Sequence, residues 1–133
     1  MAHFLAPLVG SRRAHAVLRN TRTGAILAST LHPAFDSADR RRGLLGEDGL
    51  PSQTALVLAP CAAIHTCFMR FPIDVVFASR NGAVLKVHCG VRPWRVALAL
   101  GAFAAIEFAG GALVDVRQGD HLAIDVSEAV SRF

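Results

Sequence analysis

His65-Thr66-Cys67-Phe68-Met69-Arg70-Phe71-Pro72-Ile73-Asp74-Val75-Val76-Phe77, followed by Asn81-Gly82 and then Ala83-Val84-Leu85-Lys86-Val87-His88, decides the fold. Two runs rich in β-branched and aromatic residues flank an Asn-Gly pair, a strong local signal for a β-hairpin. With Asn81 and Gly82 as the two turn residues, antiparallel pairing sets Asp74 opposite Cys89, Val76 opposite Val87 and Ala78 opposite Leu85. Asp74 then lies on an apolar face, where an ionised carboxylate is costly unless paired. That conflict marks either a structural ion pair or a functional site.

Around this hairpin the chain supplies an ordinary core. Its 133 residues are 53% hydrophobic and 18% charged, which fits a globular domain needing no disulfide or metal to fold. No apolar run is long enough to span a bilayer without an Arg, Glu or Gly breaking it. The start, Met1 to Val9, is greasy but has no basic region before it, so no secretory signal is read and a cytoplasmic location is expected. Residues 1–13 are read as a flexible or loosely docked arm, and residues 14–133 as one β domain. The net charge of +4 permits nucleic-acid or anionic-lipid binding without requiring it. Apart from Arg40-Arg41-Arg42 the basic residues are scattered, and with no Tyr a stacking platform for single strands is poorly supplied. Cys61, Cys67 and Cys89 are odd in number and lack CxxC spacing, so free thiols are expected.

Along the chain, Ala14–Arg19 and Ala25–Thr30 flank a polar loop with a Gly and read as a first hairpin. From Asp36 to Gly46 a short helix is predicted, capped by Asp36 or Ser37, with the arginines near its C-terminal end and Gly46 just beyond it. Thr54–Leu58 reads as a strand buried on both faces, and Ile64–Met69 as the strand leading into the central hairpin. Val91–Arg95 is a loop because Pro93 restricts Arg92. Val96–Gly101 is strand or helical turn, Ala104–Phe108 a strand, Ala112–Gln118 a short helix or loop, and His121–Val126 a final strand. Many short strands with one or two short helices predict a mostly β, single-domain, jelly-roll-like sandwich or barrel.

Arg42-Gly43-Leu44, Phe68-Met69, Pro72-Ile73-Asp74-Val75-Val76-Phe77, Asn81-Gly82, Ala105-Ile106-Glu107-Phe108-Ala109-Gly110 and Gly119-Asp120-His121-Leu122 occur in this order. Together they resemble the bacterial and archaeal family called domain of unknown function 192, over about residues 14–126. The resemblance implies a compact jelly-roll-like β fold. It implies no established reaction, cofactor or partner. Many relatives look exported, from which this chain's start departs, and some look like neighbours of pilus-assembly proteins.

Asp74 and Glu107 are the two acids set in apolar strands. Converging, they could form a proton-transfer pair of the kind glycoside hydrolysis uses, with His65 nearby. Otherwise each takes an arginine or backbone amides, and Arg42, Arg70 and Arg95 are available. The structural role is preferred, with an arginine as the partner of Asp74 and Arg70 or Arg42 as the candidates. His65, Cys67, His88 and Cys89 are soft ligands, but neighbours on a strand face opposite ways, so no metal site is expected. Phe68 reads as core. Trp94, between Arg92 and Arg95 in a Pro-bearing loop, suits contact with a ligand or partner.

The reading is therefore a non-enzymatic accessory module that binds a small ligand or a protein. Its expected binding residues are Met69, Asp74, Trp94, Arg95 and Glu107, without a cofactor or metal. The alternative is a small hydrolase-like enzyme using Asp74, Glu107 and His65. A basic nucleic-acid-binding regulator comes third.

Overall fold

The computed structural model describes residues 3–9 and 14–128. Along the chain come β1 (Ala14–Asn20), β2 (Ile26–Ala28), β3 (Thr30–Ala34), α1 (Ser37–Arg42), β4 (Thr54–Leu58) and β5 (Ala63–His65). They are followed by β6 (Ile73–Ala78), β7 (Val84–Val91), β8 (Val96–Leu98), β9 (Ala104–Ala109) and β10 (Leu122–Glu128). A five-stranded sheet of order β3-β4-β9-β6-β7 is the centre of the molecule. One face packs on a three-stranded sheet, β10-β1-β2; the other is covered by α1, its following loop and the β5-β8 ribbon. The predicted mostly β sandwich is the fold, and the described strands close into no barrel.

Double coverage explains the central strands. β4, β6 and β9 have apolar residues on both faces because each face meets its own core. Val57, Val76, Ile106 and Phe108 pack towards Leu18, Ala28 and Ile124 of the small sheet. Val75, Phe77, Leu58 and Ala105 pack towards Leu44, Ile64, Met69 and Ala97. Each fully buried side chain of this size contributes about 1.5–3 kcal/mol relative to exposure. β3 pairs in parallel with β4 and carries Pro33, which lacks an N–H and is tolerated because β3 is an edge strand.

The central hairpin forms, but its turn spans residues 80–82 rather than Asn81-Gly82 alone: the Ser79 carbonyl accepts from the Gly82 amide and the Ser79 amide donates to the Ala83 carbonyl, and a bulge in β7 then restores Val76 opposite Val87. On either side β7 carries a bulge. Ala78 meets Val84 rather than Leu85, and the second irregularity, between Ile73 and Val75, takes Asp74 out of register with Cys89. Gly90, with φ +65°, sits at that second bulge and turns its amide towards Asp74. At the hairpin tip Gly82 has φ +87°, and a Cβ there would collide with the Leu122 carbonyl. The tip is thus closed down onto β10.

Other local expectations need adjustment. The helix is capped by Asp36, whose side chain accepts from the Asp39 amide, but it stops at Gly43 rather than Gly46. Of Ile64–Met69 only the first residues pair as a strand, since the chain turns away after His65. Val96–Leu98 is strand, pairing with β5, and residues 112–118 form an irregular loop, the second of the two alternatives expected for them. Of the arm read over residues 1–13, residues 1, 2 and 10–13 lie outside the described residues. Residues 3–9 lie against the sandwich: Leu5 is fully buried, the Phe4 amide donates to the Arg80 carbonyl, and Ala6–Leu8 form a single 3-10 turn.

Candidate functional site

Asp74 and Glu107 sit on neighbouring strands but point in opposite directions. In the β6–β9 ladder Asp74 is opposite Phe108 and Val75 is opposite Glu107. Paired residues share a face and successive residues alternate, so Asp74 faces the small sheet while Glu107 faces the helical side. The carboxylate pair required for acid–base hydrolysis is therefore not assembled.

Asp74 is buried and fully engaged. Its Oδ1 accepts from the Gly90 amide at 2.8 Å, and its Oδ2 from the amides of Gly111 and Leu113, both at 3.1 Å. The arginine expected as its partner is a correction. Arg70 pairs with Asp48 at the surface, and the Arg42 side chain makes no hydrogen bond or ion pair among the described residues. Backbone amides from the β7 bulge and the turn after β9 satisfy the carboxylate without burying a second charge. Asp74 thereby ties three segments together.

Glu107 has the reverse situation. Its side chain is 4% exposed, and no described residue gives it a hydrogen bond or a salt bridge. Burial alone pushes its carboxyl up from 4.5 to about 7. Above it the cover of the sheet is incomplete. Between α1, the loop after it and β5 lies a pocket of about 470 Å³, with Glu107 in its lining. Leu44, Leu58, Ile64 and Met69 supply apolar wall, and Arg40, Arg41 and Arg42 line the helical side. Arg40 is half-buried and donates to the carbonyls of Phe35 and Ala59, which ties α1 to β3 and the end of β4. Arg41 reaches only the Ser37 carbonyl, at 3.3 Å.

Of the expected site residues, the pocket gathers Met69, Glu107, His65 and Arg42, while Asp74, Trp94 and Arg95 are absent from its lining. His65 lies on the exposed side of β5, its Nδ1 accepting from the Cys67 amide at 3.3 Å. Cys61 lines the same cavity; burial pushes its thiol up and its Sγ donates to the Ala63 carbonyl, which favours an inert thiol. Sequence reasoning singles out Arg40 and Arg41 only as part of a basic run, and it misses Cys61 and the leucines of the wall, which carry no local signal beyond their place near the ends of α1 and β4. Among the described residues no three His, Cys, Asp or Glu converge as metal ligands would.

A second feature lies outside the pocket. Phe68, expected in the core, is 71% exposed and packs against exposed Trp94, ring centroids 4.6 Å apart. Both aromatics hold left-handed backbones, φ +65° and +66°, a conformation costly for bulky residues. Buried Thr66 holds the arrangement: its hydroxyl donates to the Arg92 carbonyl at 2.6 Å and accepts from the Arg95 amide at 2.8 Å. Its carbonyl accepts from the amides of Trp94 and Met69.

Comparison with known proteins adds the following. The model of the DUF192 family, described as an uncharacterized ACR, matches residues 18–124. No curated protein matches the chain. A protein of unknown function from Novosphingobium aromaticivorans superposes with a TM-score of 0.69 at 20% identity, covering 81% of this chain and 82% of that one. A candidate transcription regulator from Sinorhizobium meliloti gives 0.72 at 17% identity, covering 82% and 92%. At these identities the likeness is one of fold. No helix among the described residues is long and apolar enough to cross a membrane.

Proposed function

The chain belongs to the DUF192 family, and on that premise we propose that it is a non-enzymatic binding module whose small-ligand site is the pocket over Glu107. One observation carries the proposal: a carboxyl buried to 4% exposure, lining an open cavity, with no partner from the protein. The protein leaves this carboxyl to whatever enters the pocket, so a ligand donor placed there would pair with it in place of solvent. A catalytic role lacks support, because the second carboxylate is on the far face of the sheet. The cytoplasmic location belongs to the same proposal, supported by three free cysteines.

The test is an amide-resolved NMR titration of the full chain with a library of small metabolites. Shifts clustered at Ile64, Met69, Glu107 and Arg42 are expected. Shifts confined to Gly90, Gly111 and Leu113, or none at all, would remove the pocket from consideration.

A protein partner is the second reading, favoured by the exposed Phe68–Trp94 pair that Thr66 holds rigid. Nucleic acid receives less support: Arg19, Arg22, Arg70 and Arg117 are engaged with carboxylates and Arg40 with carbonyls, so these five are not free for phosphate.

A further inference from the structure

Taking the Glu107 pocket as the binding site, we propose that its ligand is an amphipathic organic anion: an apolar body with a hydroxyl donor at one end and a carboxylate or phosphate at the other. Three separate regions of the pocket dictate the three parts.

Leu44, Leu58, Ile64 and Met69 belong to the apolar cluster beneath α1 and offer a ligand no hydrogen bonds from their side chains. A polyol placed against them would lose its water without compensation, so the body of the ligand is apolar. Glu107 is the polar group set among these walls. A single hydroxyl reaching it would restore the hydrogen bond the protein leaves unmade. At the helical side stand Arg40, Arg41 and Arg42. Arg41 and Arg42 are exposed, and the Arg42 guanidinium has no hydrogen bond or ion pair among the described residues. Three guanidiniums in a row repel a simple amine, which would otherwise suit a carboxylate, and attract an anion.

The two polar ends act independently. No arginine hydrogen-bonds or ion-pairs with Glu107 among the described residues, so the ligand presents its hydroxyl and its anion as separate groups. A volume of about 470 Å³ suits a molecule of one ring or a short chain.

4-Hydroxyphenylacetate carries all three parts; phenylacetate lacks the hydroxyl and tyrosol lacks the charge. Dissociation constants for the three compounds are measured on the full chain, its Glu107→Leu variant and an Arg41→Ala/Arg42→Ala double variant. On the native chain 4-hydroxyphenylacetate is expected to bind about tenfold more tightly than phenylacetate, a discrimination typical of one buried hydrogen bond. Glu107→Leu abolishes that preference, so that the two acids bind equally. The double arginine variant weakens both acids more than it weakens tyrosol. Equal binding of the two acids to the native chain, or a hydroxyl preference that survives Glu107→Leu, would overturn the proposal. So would absence of saturable binding by 4-hydroxyphenylacetate. If metabolites of other chemistry still shift the pocket amides, only the ligand class is lost; if none does, the binding site falls with it. Because Glu107→Leu removes an unpaired buried carboxyl, loss of folding is not expected, and circular dichroism checks this directly.

Discussion

Asp74 and Glu107 lie one ladder step apart on adjacent strands of the same sheet, both almost completely buried, and they have opposite roles. On the Asp74 side the chain bends towards the carboxylate, with a bulge in β7 and the turn after β9 each sending amides to it. On the Glu107 side the chain stands back, and α1 and β5 leave a pocket above a carboxyl that nothing in the protein satisfies. Burial alone therefore does not separate a structural acid from a functional one. The inventory of donors does.

Removing each acid sharpens the contrast. The largest effect is expected for Asp74→Ala, which strands three buried amides and loses on the order of 4 kcal/mol of stability. Asp74→Asn should lose about half as much, because its oxygen can still accept while its NH₂ meets donors. Chemical denaturation measures both losses. Unchanged stability of Asp74→Asn with lost ligand binding would transfer the functional role to Asp74.

Glu107→Leu should move the opposite way, and with pH. A carboxyl whose folded value is raised from 4.5 to about 7 binds more protons folded than unfolded between those values. The native chain therefore loses stability as pH rises from about 4.5 through about 7, by on the order of 3 kcal/mol, then levels off. Glu107→Leu removes that slope and is the more stable protein at pH 8. Melting temperatures from pH 5 to 8 test this; parallel curves for native and variant chains would contradict it. At the acid end the sign reverses. Asp120 is held below its ordinary value first by the Arg22 guanidinium, and also by the Arg117 amide and Asn20. Its contribution is present above the unfolded carboxylate pKa and is lost as pH falls below it.

The smallest effect is expected away from both acids. Trp94→Ala should change stability by less than about 1 kcal/mol, since the ring is exposed and its main loss is the contact with Phe68. Affinity at the Glu107 pocket should stay unchanged, as measured by the same titrations. A large drop in that affinity would join the aromatic pair to the pocket as one site.

The hairpin and the anomaly at Asp74 were legible because they are local. Asn81-Gly82 marks the turn, but the loop has three residues, 80–82, and Val76 meets Val87 only because a β7 bulge compensates for the extra one. The donors to Asp74 were not legible. They arise from a bulge at Gly90 and from amides near Gly111, far along the chain, and a pattern of side chains does not reveal amides. Glu107 stood out as an acid among Ala105, Ile106 and Phe108, but the face it occupies depends on how β9 registers with β6, a long-range choice. The pocket was less visible still, because its walls come from α1, β4 and β5, and nothing in any one segment announces a gap between them. Phe68 was misjudged since an aromatic beside a strand is usually core. Thr66, which holds it outside, bonds to a loop more than twenty residues on.

The most direct test is a ¹³C NMR titration of the Glu107 side-chain carboxyl, with and without a saturating pocket ligand. An apparent pKa near 7 in the free protein, displaced when ligand is bound, is the predicted result. An ordinary value near 4.5, insensitive to every ligand that binds, would mean that Glu107 already has a partner and that the pocket is not the site.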